Sequence, residues 1–224
     1  MIDRHYFHDR HKLANGVAQF AATCLLEALA KNDQASLVLP GGQTPRVYLA
    51  QLSQQNLPWQ KIHLTLSDER WVNATDSNSN EKQLREIFLQ RMRIAPHFIP
   101  LKTAHQHPDA AIDTVDAHLA SMPLPFDLAI LGMGEDGHIA SLFPGMALDL
   151  DNTHLCQAAT PPTAPTLRIS LSFRALAKSR QILFIILGKS KRRLLDHLTT
   201  STDTDIPFVK LLQYQSVEIF ESDV

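Results

Sequence analysis

The 224-residue sequence predicts one α/β domain: a mostly parallel sheet with helices on both faces. Three observations carry this. Short apolar runs of strand length alternate with amphipathic helical segments, the pattern of parallel strands joined by crossover helices. Four of those runs end in glycine-rich or charged segments, which is where a parallel sheet meets its ligands. No internal repeat or long linker divides a chain long enough for one substantial core.

From about His11 to Lys31, apolar positions (Leu13, Val17, Phe20, Ala21, Cys24, Leu25, Ala28, Leu29) recur at helical spacing. Ser36-Leu37-Val38-Leu39 reads as a short buried strand ending at Pro40-Gly41-Gly42. Thr44-Pro45 looks like a helix start, with Thr44 as N-cap and Pro45 at the first helical position. Ile62 to Leu66 alternates like a strand and runs into Ser67-Asp68-Glu69-Arg70. Ser79-Asn80-Glu81 opens an amphipathic helix through Arg91, and Ala110 to Leu119 gives another. Phe126 to Leu131 is a third buried strand, broken by Gly132 and Gly134. His154 to Ala158 and Leu167 to Leu171 are weaker strands flanking a Thr160–Pro165 loop, so the 140–170 region is expected to add antiparallel strands. Gln181 to Leu187 is the strongest strand, followed by Gly188 and a Lys189–Leu198 helix. After a polar loop at 199–204, Val217 to Phe220 reads as a last short strand.

Composition narrows the function. Hydrophobic residues make up 44% and charged residues 20%, the ordinary globular range, which excludes disordered and collagen-like chains. A net charge of −2 and a pI near 6.6 provide no global basic field for nucleic acid or acidic membranes. Cys24 and Cys156 lie far apart in apolar segments without CxxC spacing, so they read as inert thiols. The N-terminus is polar, without a signal-peptide stretch, and the longest apolar run, Ile182 to Leu187, is too short to cross a bilayer. A cytoplasmic protein is expected, a monomer or small homo-oligomer, with no nucleic-acid or membrane partner.

The polar residues gather at four strand ends, and in a parallel sheet all four face one edge. Gly41-Gly42 lets backbone approach a ligand in front of a helix start, which suits a phosphate or simply makes a strand-to-helix turn. No Walker lysine and no GxGxxG follow, so a nucleotide fingerprint is absent. Asp68-Glu69-Arg70 could hold a substrate hydroxyl and an anion, or be a solvated strand end. Lys189 after Gly188, and Arg168 at a strand start, are candidate phosphate contacts. The most specific stretch is Gly132-Met133-Gly134-Glu135-Asp136-Gly137-His138. A His two residues after an Asp in a glycine-rich loop makes a good general base near neutral pH. His5, His8 and His11 sit near a terminus expected to fray, and carry no metal-site logic. Ser141 is not a nucleophile elbow, because no Gly-x-Ser-x-Gly surrounds it.

Taken in order, Gly41-Gly42-Gln43-Thr44-Pro45, Asp68-Glu69-Arg70, Ser79-Asn80, Gly132 to Gly145, Arg168-Ile169-Ser170-Leu171 and Gly188-x-x-Lys191 resemble the 6-phosphogluconolactonases over nearly the whole chain. That family shares its Rossmann-like fold with the glucosamine-6-phosphate deaminases. Deaminases typically read Asp-Gly-His-Ile-Ala-Phe-Asn-Glu-Pro-Gly, and alignment on Asp136 to Ala140 places Phe143 where their Glu assists proton transfer. Ser141-Leu142-Phe143-Pro144 therefore favours the lactonase, although Ile139 is deaminase-like. Pro40 stands where a Ser commonly precedes the glycines, removing a hydroxyl and an N–H from the phosphate cradle. The Trp that often marks the family's last strand is missing.

The resemblance implies hydrolysis of 6-phospho-D-glucono-1,5-lactone to 6-phosphogluconate, in the oxidative pentose phosphate pathway, with no cofactor and no metal. His138 would activate water, and Asp136 would orient or polarise the imidazole. Gly41, Gly42, Thr44, Asp68, Arg70, Arg168 and Lys189 would hold the sugar and its phosphate. The alternatives are a deaminase-type isomerase with Asp68 as carbon base, and a sugar-phosphate sensor without turnover.

Overall fold

A computed structural model describes residues 1–162 and 166–223. Along the chain run β1 (Ile2–Tyr6), α1 (Arg10–Asn32), β2 (Ala35–Leu39), α2 (Leu49–Ser53), β3 (Ile62–Leu66), β4 (Asp68–Arg70), α3 (Asn80–Ile87) and β5 (His97–Ile99). There follow α4 (Ile112–Leu119), β6 (Leu128–Leu131), β7 (Cys156–Ala159), β8 (Arg168–Leu171), α5 (Phe173–Ala177), β9 (Gln181–Leu187), α6 (Lys189–Leu198), α7 (Pro207–Tyr214) and β10 (Val217–Ser222).

Seven strands form a sheet in the order β1-β10-β9-β6-β2-β3-β5, and every neighbouring pair is parallel. β2 and β6 are buried at every position, so both faces of the sheet are covered; that is why these strands read as unbroken apolar runs. β4, β8 and β7 make a separate three-stranded antiparallel sheet. It is tied to the main sheet by Ser67, whose N–H donates to Leu39 O (2.8 Å) and whose carbonyl accepts from Leu171 N (2.8 Å).

The long helix α1 starts at Asp9, which accepts from Lys12 N at 2.7 Å, and stops at Asp33, in the left-handed region at φ 58°. Its most apolar stretch has a mean hydropathy of 1.3, long and apolar enough to cross a bilayer, a feature the search for unbroken apolar runs overlooked. Here Leu13, Val17, Ala21 and Leu25 are buried where α1 packs on β2, β6 and β10.

Several elements differ from expectation. The N-terminal residues form β1, an edge strand paired to β10, instead of a frayed end. Asp68-Glu69-Arg70 is a strand in its own right. Thr44 is not an N-cap: Gln43 already has helical angles (φ −84°, ψ −30°), whereas a cap needs extended ones, and Thr44 opens a four-residue 3-10 turn before the five-residue α2. The dipole expected behind Gly42 therefore belongs to two short turns. β6 begins at Leu128, and Asp127 N just before it donates to the Ser36 side chain of β2 (Oγ, 2.9 Å) rather than to a backbone carbonyl. β5 and α7 carried no sequence assignment. Thr163, Ala164 and Pro165 of the expected loop lie outside the described residues.

Candidate active site

The chain leaves β2 in one direction, towards β3 and β5, and later returns to β2's other side as β6. β2 and β6 thus flank the point where strand order reverses, and a crevice opens beyond their carboxyl ends. The cleft there has a volume of about 380 Å³, within the range of small-molecule sites. The β2 exit supplies Gly41 to Thr44, the β3 exit Asp68 and Arg70, the β6 exit Gly132 to Glu135 with His138, and the small sheet Arg168. A larger groove of about 620 Å³ beside it shares Gln43 and Thr44 but contains neither Asp136 nor His138.

The β6 exit loop is shaped around an imidazole. Gly134 N donates to His138 O (2.9 Å) and Gly137 N to Gly134 O (3.2 Å), closing the loop on itself. A Cβ at Gly134 would lie 2.1 Å from His138 Nδ1, so only glycine leaves room for the ring. His138 Nδ1 meets Asp136 Oδ1 at 2.6 Å, and its backbone N–H reaches the same oxygen at 3.1 Å. Burial alone would raise the Asp136 carboxyl. The His138 N–H, the imidazole charge and the ring contact outweigh it and hold Asp136 below the usual carboxylate range. An ionised carboxylate only accepts, so Nδ1 is the nitrogen that donates to it, and in the neutral ring the lone pair is on Nε2. Phe143, buried at 6% exposure, packs against the imidazole at a tilt of 53°, with ring centroids 4.8 Å apart.

The opposite wall is cationic. Arg70 and Arg168 face each other across the β4–β8 pair, and Lys191, on the first turn of α6, completes the set. Burial pulls the Arg168 guanidinium below its usual value; Asp68 offsets this, while Arg70 adds to it. Arg168 Nη1 lies 3.5 Å from Asp68 Oδ2, and its Nε is buried without a partner. Arg70 Nη1 donates to Asn78 O at 2.8 Å. No hydrogen bond among the described residues engages the N–H groups of Gly42 and Gln43. Gly42 sits at φ 84°, and a Cβ at Gly41 would fall 2.0 Å from Asn80 Cγ, so this turn requires both glycines.

Gly41, Gly42, Thr44, Asp68, Arg70, His138 and Arg168 all line the cleft, with Asp136 directly behind His138. Lys189 does not. It is exposed, close enough to Asp223 to lower that carboxyl, and Lys191 takes the place in the cleft. Two residues along a helix is roughly 200° around it, so the two lysines leave opposite sides of α6.

Sequence reasoning took Glu69 only as part of the Asp68-Glu69-Arg70 run and missed its anchoring role: it is 1% exposed and accepts from Arg70 N, Asn80 N, Glu81 N and Ser79 Oγ. Burial pushes its carboxyl up, and these four donors pull back without fully compensating. It anchors the start of α3 and so sets Asn80, whose Nδ2 donates to Asp68 O and whose Oδ1 is buried without a partner beside the cleft. The Ser79-Asn80 helix start was the available signal.

The three N-terminal histidines do not converge. His5 pairs with Glu218, His8 packs on Tyr6 and His11 reaches Asn15. Among the described residues, only Asp3, His5 and Glu218, exposed or half-buried at the far sheet edge, bring three ligand atoms close enough for one ion. Burial pushes the Cys24 and Cys156 thiols up to about 12, consistent with inert thiols.

Comparison with known proteins bears on the fold and the family. A family model for glucosamine-6-phosphate isomerases/6-phosphogluconolactonase covers residues 8–219. The chain belongs to this family, a class of α/β proteins with a switch-point cleft. Within it, the chain is similar to the 6-phosphogluconolactonase of Pseudomonas aeruginosa, 38% identical over 183 residues, covering 80% of this chain and 77% of that one. The solved structure of a 6-phosphogluconolactonase from Shewanella baltica superposes with a TM-score of 0.92 at 35% identity, covering 99% of this chain and 98% of the other. A monomeric glucosamine-6-phosphate deaminase also superposes, with a TM-score of 0.84, covering 98% and 97%; at 21% identity that is a likeness of fold alone.

Proposed function

We propose that this chain hydrolyses 6-phospho-D-glucono-1,5-lactone to 6-phosphogluconate, as a cytoplasmic enzyme of the oxidative pentose phosphate pathway. The observation that carries the reading is the Asp136–His138 pair, 2.6 Å apart over Gly134, in one cleft with Arg168 and Lys191.

With Nδ1 held by Asp136, His138 Nε2 takes a proton from water as the water oxygen attacks the lactone carbonyl. The tetrahedral intermediate collapses, the C1–O5 bond breaks, and the imidazolium returns the proton to the departing ring oxygen. Asp136 keeps the ring in the productive tautomer and stabilises the transient cation. The free N–H groups of Gly42 and Gln43 are suited to receive negative charge, either the developing oxyanion or a phosphate oxygen. Arg168 and Lys191 hold the phosphate, with Thr44 at its edge and Arg70 supporting it, and Asp68 and Asn80 shape the sugar side. A lactone is an activated ester, so general-base help of about 10²–10⁴-fold suffices and the step needs no metal. Deaminase chemistry is disfavoured: Phe143, a ring without a transferable proton, stands against His138.

The test is an assay on freshly generated 6-phosphogluconolactone, corrected for spontaneous hydrolysis and run with and without excess chelator. Accelerated lactone opening, insensitive to chelator, is expected. Ammonia release from glucosamine 6-phosphate, or binding without turnover, would overturn the assignment.

A further inference from the structure

Behind the cationic wall lies a buried serine that the proposed mechanism does not use. Ser141 is 0% exposed and sits in a tight turn in which Ile139 and Leu142 exchange both backbone hydrogen bonds (3.3 and 2.9 Å). The turn is strained: Ala140 has φ 52°, a region L-residues avoid at a cost of about 1–2 kcal/mol. Such strain persists where the surroundings enforce it, commonly at functional sites. Here it leaves Ala140 lining the cleft while Ser141 is buried behind it. Ser141 N donates to Ser170 Oγ (3.2 Å), and Ser141 Oγ donates to Asp68 Oδ2 at 2.6 Å, a short charge-assisted bond. Ser67 Oγ donates to the other Asp68 oxygen at 3.2 Å. Arg168 Nη1 rests on this assembly, 3.5 Å from Asp68 Oδ2 and 3.4 Å from Ser141 Oγ, while its Nε stays unpartnered.

We propose that Ser141 is a positioning residue for phosphate recognition. It fixes the Asp68 carboxylate and accepts from Arg168 Nη1, so that one guanidinium nitrogen is tethered and the rest of the fork is presented to the substrate's phosphate. The inference rests on the assignment of Arg168 to the phosphate. Two acceptors on one nitrogen restrict a side chain that otherwise loses much rotamer freedom on binding, so the tether acts on ligand affinity and not on the chemical step. Ser141 touches no substrate in this account.

The experiment compares Ser141→Ala, the near-isosteric Ser141→Cys and Arg168→Ala on 6-phosphogluconolactone and on unphosphorylated gluconolactone. Ser141→Ala is expected to raise KM for the phosphorylated lactone by about tenfold, with kcat within about twofold and a much smaller rise in KM for gluconolactone, whose sugar Asp68 also faces. Ser141→Cys, which keeps the volume with a weaker donor, should shift in the same direction and guards against a folding defect in the alanine variant. The double variant Ser141→Ala/Arg168→Ala should be no worse than Arg168→Ala alone. If Arg168→Ala raises KM selectively but neither Ser141 variant does, the inference is wrong. Equal KM shifts on both lactones would make Ser141 merely structural and also overturn it. If Arg168→Ala itself fails to distinguish the two lactones, the phosphate assignment falls, and this inference with it.

Discussion

A methyl group added at Gly134 would lie 2.1 Å from His138 Nδ1 and 2.2 Å from Cε1, so the imidazole occupies the space a side chain would take. Gly134→Ala should therefore push the ring off Asp136 without disturbing the sheet. Misplacement of a reacting group by about 1 Å can cost 10²-fold, so kcat should fall by about 10- to 100-fold with the melting temperature little changed; a wild-type kcat would show that the ring tolerates displacement. His138 and Asp136 were legible from sequence because their partnership is local, two residues apart in one loop. Lys191 was not chosen, because which lysine of α6 enters the cleft depends on the helix's rotation after Gly188, at φ 91°. For Ser141 and Asn80 the sequence showed an absent nucleophile motif and a helix start, not the contact that places them at the site. Their partner is Asp68, 73 and 12 residues away, and chain distance carries no signal of such contacts.

Among the elements, α3 bears most directly on the cleft, since its first residue is Asn80. Ser79 caps it by accepting from Lys82 N at 3.1 Å, and also donates to Glu69 Oε2 at 3.0 Å. Ser79→Ala removes both bonds at a position 1% exposed and should lower stability by about 1–2 kcal/mol; Ser79→Thr should restore much of it. Chemical denaturation of the two variants checks this, and an unchanged midpoint for Ser79→Ala would mean the cap carries no weight. β9 and α6 match the sequence reading residue for residue because an unbroken apolar run meets a glycine and then a polar helix. β4 and β5, three residues each, are too short to show any periodicity. β1 was hidden differently. It is a sheet edge with four exposed residues out of five, so it lacks the apolar run by which a buried parallel strand is recognised.

At the scale of the molecule, the sequence indicated that four strand ends converge, but not the order of the seven strands, which depends on long-range pairing. The two chain ends illustrate this: β1 and β10 lie side by side, locked by Arg4 and Arg192 on Glu221 (2.9 and 2.8 Å), a carboxylate 3% exposed. Burial would raise the Glu221 pKa, but the two arginines outweigh it and lower it below its ordinary value. A carboxyl depressed in the folded state contributes stability above its unfolded pKa and loses it as pH falls through the folded one. Glu221→Gln should thus cost about 1–3 kcal/mol at neutral pH, reduced from a fully buried pair because both arginines are part-exposed. The deficit should shrink as pH falls below about 4. A deficit independent of pH would mean packing, not charge, joins the two ends.

The central claim is that His138 is the general base, and it is tested most directly by kcat for His138→Gln on freshly generated 6-phosphogluconolactone, after subtraction of spontaneous hydrolysis. Glutamine keeps the side chain polar and roughly the same size but cannot accept a proton at neutral pH. A fall in kcat of about 100-fold or more, with KM within a few-fold of the parent, is the predicted result. A kcat near that of the parent would contradict the account and remove His138 from the mechanism.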